Sequence, residues 1–202
     1  MAPSRSRTLL TLATLGLLVA FLAPSAARAQ VELGVRTGWA IPAGHAFSGG
    51  DLAGLVNGAL PVQVDASWRF GRSLSAGAYA SFALARVDPH LAEDAGGGSA
   101  FVARAGLRAS WAFPDLVPAA LPWVGVGAGW EWMKVSAGGR YVYSGPELAT
   151  AEGGADWTAG AFRVGPFVSW SLGRYLLLNG DDLSPKGGHA WVTLGVRGTF
   201  GS

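Results

Sequence analysis

The sequence predicts an all-β protein: an eight-stranded antiparallel up-and-down barrel that crosses a membrane, preceded by a helical signal peptide that is cleaved off. Three observations predict it. Half of the residues are hydrophobic, yet beyond residue 29 no apolar run approaches the ~20 residues that a spanning helix needs. The apolar residues instead alternate with polar or small ones over stretches of about ten residues, each closed by a turn or loop. Charged residues avoid the apolar parity in the middle of every such stretch.

The chain opens on the basic residues Arg5 and Arg7, stays uncharged through 8–27 and apolar through 9–22, and reaches Ala27-Arg28-Ala29. A cationic start, an apolar core and an A-x-A end form the pattern of a secretory signal peptide. Cleavage is expected after Ala29, which divides the chain into a signal peptide, 1–29, and one barrel domain, 30–202. Removal takes three arginines and no acids, so 15 basic and 13 acidic residues become 12 and 13, and the formal charge moves from +2 to −1. The basic balance therefore belongs to the precursor, and no nucleic-acid partner is expected. The absence of Cys excludes disulfides, thiolate metal sites and a lipid-modified N-terminal Cys.

Eight strands follow from the alternation. At 31–41, Val31, Leu33, Val35, Trp39 and Ile41 share a face opposite Glu32 and Arg36; at 60–70, Leu60, Val62, Val64, Trp68 and Phe70 oppose Asp65 and Arg69. At 74–84 an Ala-rich face ends in Phe82 and Leu84, and at 101–113 Phe101, Leu107, Trp111 and Phe113 oppose Arg104 and Arg108. At 123–133, Val124, Val126, Trp130 and Trp132 oppose Glu131; at 161–170, Phe162, Val164, Val168 and Trp170 oppose Arg163. The seventh strand, 175–179, is short and Leu-rich with no readable register, and at 190–200 Val192, Leu194, Val196 and Phe200 oppose Arg197. The connections near 71–73 and 171–174 are tight and 114–122 is bounded by Pro, whereas 42–59, 87–100, 134–160 and 180–189 are long. Short turns at one end and long loops at the other are the plan of an outer-membrane barrel.

The faces are expected to be inverted relative to a soluble protein. Glu32, Arg36, Asp65, Arg69, Arg104, Arg108, Glu131, Arg163 and Arg197 all fall on the polar parity. A cation facing lipid at mid-depth costs about 2–4 kcal/mol, so lipid enforces such exclusion. An eight-stranded barrel has an interior just wide enough for side chains to fill. Three carboxylates and six arginines are therefore expected to form an interior ion network with a positive excess. On the outward parity Trp39, Trp68, Phe70, Phe82, Phe101, Trp111, Phe113, Trp130, Trp132, Phe162, Trp170 and Phe200 supply an aromatic girdle at each interface. A soluble lipocalin-like barrel would need the opposite faces.

With this pattern in place, the chain resembles the small eight-stranded outer-membrane β-barrels, including OmpA-like and OmpW-like proteins. The most specific piece is 193–200, where Thr193, Gly195, Val196 and Phe200 look like the C-terminal signal read by the barrel assembly machinery. Gly198 stands where that signal usually has a hydrophobic residue. The first strand, 32–39, also looks like the opening strand of such barrels. The resemblance implies location in the bacterial outer membrane and contact with its lipid and lipopolysaccharide. It also implies passage through the Sec translocon and the barrel assembly machinery. A peptidoglycan-binding domain of the OmpA type is not expected.

Little in the sequence points to catalysis. His45, His90 and His189 all fall in or beside long loops, and no ligand spacing marks a metal site, so neither metal nor cofactor is expected. His189 is the candidate if an outward Ser–His pair acted on lipid, but the expectation is no enzyme. Gly96-Gly97-Gly98 and Gly187-Gly188 lack the strand, helix and Lys of a phosphate cradle. The favoured role is structural or surface interaction through long loops, with 134–160 and its Tyr141, Tyr143 and Trp157 as the contact candidate. The alternatives are a narrow channel for small anionic or apolar solutes, as in the OmpW-like group, and a lipid-modifying enzyme.

Overall fold

Residues 30–201 are described in the computed structural model, and the predicted signal peptide lies outside them. Where the sequence alternates, the chain is extended: β1 (Gln30–Phe47), β2 (Gly50–Asp51), β3 (Val56–Phe70) and β4 (Leu74–Val87) precede the short helix α1 (Pro89–Asp94). Then follow β5 (Ser99–Ala112), β6 (Leu121–Ser136), β7 (Arg140–Ala159), β8 (Phe162–Arg174), β9 (Leu177–Leu178), β10 (Asp181–Asp182) and β11 (Gly188–Gly201). The eight long strands pair in the order β1-β3-β4-β5-β6-β7-β8-β11, each with the next in antiparallel sense. β11 closes on β1 from Glu32↔Gly201 to Gly44↔His189, so no strand edge remains along the wall. The molecule is a closed eight-stranded up-and-down barrel of the outer-membrane type.

Three expectations about the strands are corrected. The stretch 134–160 is not a loop: it holds the end of β6, a three-residue connection and the whole of β7, the longest strand. The expected seventh strand at 175–179 is not in the wall, and the expected turn at 171–174 belongs to β8. The Leu run instead forms β9, which turns back into β10 at Asn179 (φ 55°) and Gly180 (φ 95°). Asn-Gly is the pair that a two-residue hairpin with positive φ favours. This small hairpin lies against the upper edge of β7, through Tyr143↔Leu178. The other correction is one of length. β1, β3, β4 and β6 run several residues past their expected ends, so less of the chain is loop than predicted.

Along each strand the outer face is apolar for most of its length. Leu107 and Val126 leave 70% and 63% of their surface exposed, against the usual practice of soluble monomers, which expose no apolar patch of this extent. Near the long-loop end the alternation reverses. On β6, Glu131 points inward and Trp132 outward, whereas two residues later Met133 and Val135 point inward with Lys134 and Ser136 outward. On β4, Ala83 and Val87 point inward and Arg86 outward. Above the lipid belt the wall therefore has the polarity of a soluble barrel, and its interior is an apolar core of Ala46, Leu52, Val56, Val87, Val102, Met133, Val135, Tyr143, Tyr175 and Leu183.

Candidate functional site: the filled lumen

The lower and middle lumen is built from ion pairs contributed by seven of the eight wall strands. At the short-turn end, Arg69 of β3 and Arg163 of β8 both reach Glu32 Oε1 of β1, the former at 2.5 Å. Above them Arg197 of β11 grips Asp156 of β7 with two nitrogens, Nε to Oδ1 at 3.0 Å and Nη2 to Oδ2 at 2.6 Å. Trp123 of β6 fills the space beside this pair: its Nε1 donates to Asp156 Oδ1 at 3.2 Å, and the Arg197 guanidinium lies 3.4 Å over its ring. A ring of four charges spans the middle. Arg36 donates to Asp65 Oδ2 (3.0 Å) and Glu152 Oε2 (2.6 Å), and Arg108 bonds to Glu152 and approaches Asp65 Oδ1 at 3.6 Å. Every one of these ions faces an opposite charge, as burial in a narrow interior requires.

A second polar cluster marks the boundary with the apolar core. Glu131, 1% exposed, accepts from the Tyr175 hydroxyl and from Trp191 Nε1 at 3.4 Å, with Arg104 Nε 2.7 Å and His189 Nε2 3.1 Å from its oxygens. The His189 ring stacks on Tyr175 with centroids 4.0 Å apart. Tyr175 stands in the connection after β8. Burial, and then the Glu131 carboxylate it bonds, hold its phenol well above the usual tyrosine range, so it serves as a donor. Beside this cluster the Tyr79 hydroxyl donates to Glu147 Oε2 at 2.6 Å, and the Thr150 hydroxyl bonds to the other oxygen. The paired Gly106 and Gly129 form the floor under Tyr79. A Cβ at Gly106 would lie 2.8 Å from the Tyr79 ring and one at Gly129 2.7 Å from its hydroxyl, so only glycine leaves room for that tyrosine. Between the middle ring and this cluster remains a cavity of about 50 Å³, room for a few waters.

The structure brings all nine residues of the predicted interior network, Glu32, Arg36, Asp65, Arg69, Arg104, Arg108, Glu131, Arg163 and Arg197, into ion pairs inside the barrel. The expected positive excess is absent. Glu147, Glu152 and Asp156, all on β7, match six arginines with six interior carboxylates. Their signal was in the sequence: Thr150, Glu152, Gly154, Asp156 and Thr158 alternate strictly with Ala151, Gly153, Ala155 and Trp157. The twelve girdle aromatics lie on the outer face, with Trp157 joining them, while Trp123, Phe167 and Trp191 are buried inside. In β11, Thr193 faces the lumen, Val196 and Phe200 face outward, and Gly195 packs its backbone against Thr37. The Phe162 ring lies over Gly198, where a Cβ would come within 2.6 Å of it, so a neighbouring strand supplies the missing hydrophobic surface.

Three loop expectations are corrected. His189 is not a solvated loop residue but is 3% exposed inside the barrel, so it cannot form an outward Ser–His pair. Tyr143 is buried in the upper core and Trp157 lies on the outer wall at the opposite end, which leaves only Tyr141 exposed at the hairpin tip. His45 and His90 are exposed, His45 pairing with Asp51 at 2.7 Å and His90 lying in α1 beside its cap Asp88.

No protein-family description matches the sequence, and no curated protein matches it. Among solved structures the chain is similar to Neisserial surface protein A, at 14% identity and TM-score 0.50 over 84% of this chain and 95% of that one. It is also similar to Ail of Yersinia pestis in complex with the heparin analogue sucrose octasulfate (16% identity, TM-score 0.45, 85% and 99% coverage). A third likeness is to the outer membrane protein OprG of Pseudomonas aeruginosa (11% identity, TM-score 0.46, 84% and 95% coverage). These likenesses are of fold: the chain has the fold of the small eight-stranded outer-membrane barrels.

Proposed function

We propose that this protein is an integral outer-membrane barrel that acts by interaction at its surfaces and conducts no solute. The observation that carries this reading is the blocking of the lumen at two levels. The four-charge ring of Arg36, Asp65, Arg108 and Glu152 lies across the middle, and the apolar core with the β9–β10 hairpin lies above it. Opening a path would strip charges from their partners inside a low-dielectric interior, at several kcal/mol for each ion. The short turns then face the periplasm and the long-loop end faces outward. There Arg86, Lys134 and Arg140 point away from the axis on β4, β6 and β7, just above Phe82, Phe101 and Trp132. Cations above an aromatic belt fit the phosphates of lipopolysaccharide, which we take as the lipid partner. Planar-bilayer recording tests the reading. A silent baseline is expected, and steady anion-selective steps from the folded barrel would replace it with the channel alternative.

A further inference from the structure

The periplasmic mouth opens into a vestibule of about 660 Å³ between the barrel floor and the 113–120 connection. Arg69 and Arg163 enter it from β3 and β8, and both use one nitrogen on the same atom, Glu32 Oε1. A guanidinium carries five N–H donors in a planar fork, so donors remain on both. Among the described residues the other charges at this end are already matched: Asp156 holds Arg197, and Arg72 pairs with Asp115 at 3.2 Å on the rim. Among the described residues, two arginines on one carboxylate leave one positive charge uncompensated, on side chains 21% and 13% exposed. The compensating negative charge lies far up the barrel at Glu147, which among the described residues makes no ion pair and rests on the hydroxyls of Tyr79 and Thr150. The middle ring between them is neutral.

We propose that this mouth is a binding site for a small anion bearing a phosphate or carboxylate group, held between Arg69 and Arg163. Forked guanidiniums suit these groups because two N–H donors meet two oxygens. The walls add Gln30 and Thr158, and the opening lies on the axis, away from the lipid-facing surface. Partial burial strengthens the attraction without closing the site to solvent.

The test is titration of the folded barrel in nanodiscs at low salt with inorganic phosphate and then acetate, followed on the arginine side-chain NMR signals and by calorimetry. Saturable one-site binding that shifts Arg69 and Arg163 is expected. Arg163→Gln should weaken it by about tenfold or more, the loss of a charged hydrogen bond, while Arg140→Gln, at the opposite end of the barrel, should leave it unchanged. Glu32→Gln removes the competing carboxylate and should tighten binding, a gain that a misfolded variant cannot mimic. Nanodiscs with and without anionic lipid separate the sources: competition by the lipid assigns the group to a headgroup, and equal affinity in both assigns it to a soluble anion. No saturable shift, or binding indifferent to both Arg163→Gln and Glu32→Gln, overturns the site.

Discussion

The lower and upper halves of this barrel share the same strands and the same alternation, yet they are stabilised in opposite ways. Below Trp132 the outside is apolar and the inside holds paired ions such as Arg197–Asp156; above it the outside carries Lys134 and Ser136 and the inside holds Met133 and Val135. One strand, β6, passes through both regimes with its pairing to β5 unbroken. The solvent outside the wall decides which face is apolar. Lipid forces polar groups inward, where they must pair. Water allows them outward and leaves the interior to hydrophobic packing. The two interiors should therefore fail differently when altered.

The largest effect is expected in the ionic half. Asp156→Ala leaves Arg197 buried without its carboxylate and should destabilise the barrel by about 3–5 kcal/mol in urea unfolding from vesicles. The double variant Asp156→Leu with Arg197→Met should recover most of that loss, because an apolar pair needs no compensation. If single and double variants were equally unstable, the lower lumen would not be held by charge pairing. In the apolar half, Met133→Ala removes a fully buried side chain and should cost about 2–5 kcal/mol. Its damage should be local: protease should cut the 48–55 and 175–187 connections first, with the lower barrel still folded by heat-modified gel mobility. Fragmentation throughout would argue that the two halves do not differ in cooperativity.

The outer wall sharpens the comparison with a smaller effect. Val126→Arg places a cation on the lipid face and should cost about 2–4 kcal/mol. Ser136→Arg, on the same parity of the same strand but above the reversal, should stay within about 0.5 kcal/mol. Equal costs at the two positions would remove the reversal. The smallest change is expected at Arg72→Ala. Its pair with Asp115 is largely solvated on both sides, and exposed pairs contribute about 0.2–1 kcal/mol.

What could be read from the sequence follows the same division. Seven wall strands were legible because lipid outside and ions inside impose strict alternation, as along 31–41 and 190–200. Their upper ends were not, because Arg86 and Lys134 on the outer parity look like the start of a loop once the surrounding solvent changes. β7 was missed for a different reason. A bulge between Glu147 and Ala149 shifts its inward set from Tyr143, Gly145 and Glu147 to Thr150, Glu152 and Asp156, so one period does not describe it. Its outer face is also mostly Ala and Gly, a weak apolar signal. Glu147, Glu152 and Asp156 all lie on β7, so without that strand the arginines of the interior lack half of their carboxylates. That imbalance was itself a clue, since a narrow sealed lumen cannot hold so many cations against so few carboxylates.

Spin labels placed singly at Val124, Val126, Ala128, Lys134 and Ser136 along the outer parity of β6 test the account most directly. In bilayers the first three should collide with dissolved oxygen and be shielded from a water-soluble nickel reagent, and the last two should show the reverse. Nickel accessibility at all five positions would contradict a lipid-facing wall, and oxygen preference at all five would contradict its reversal.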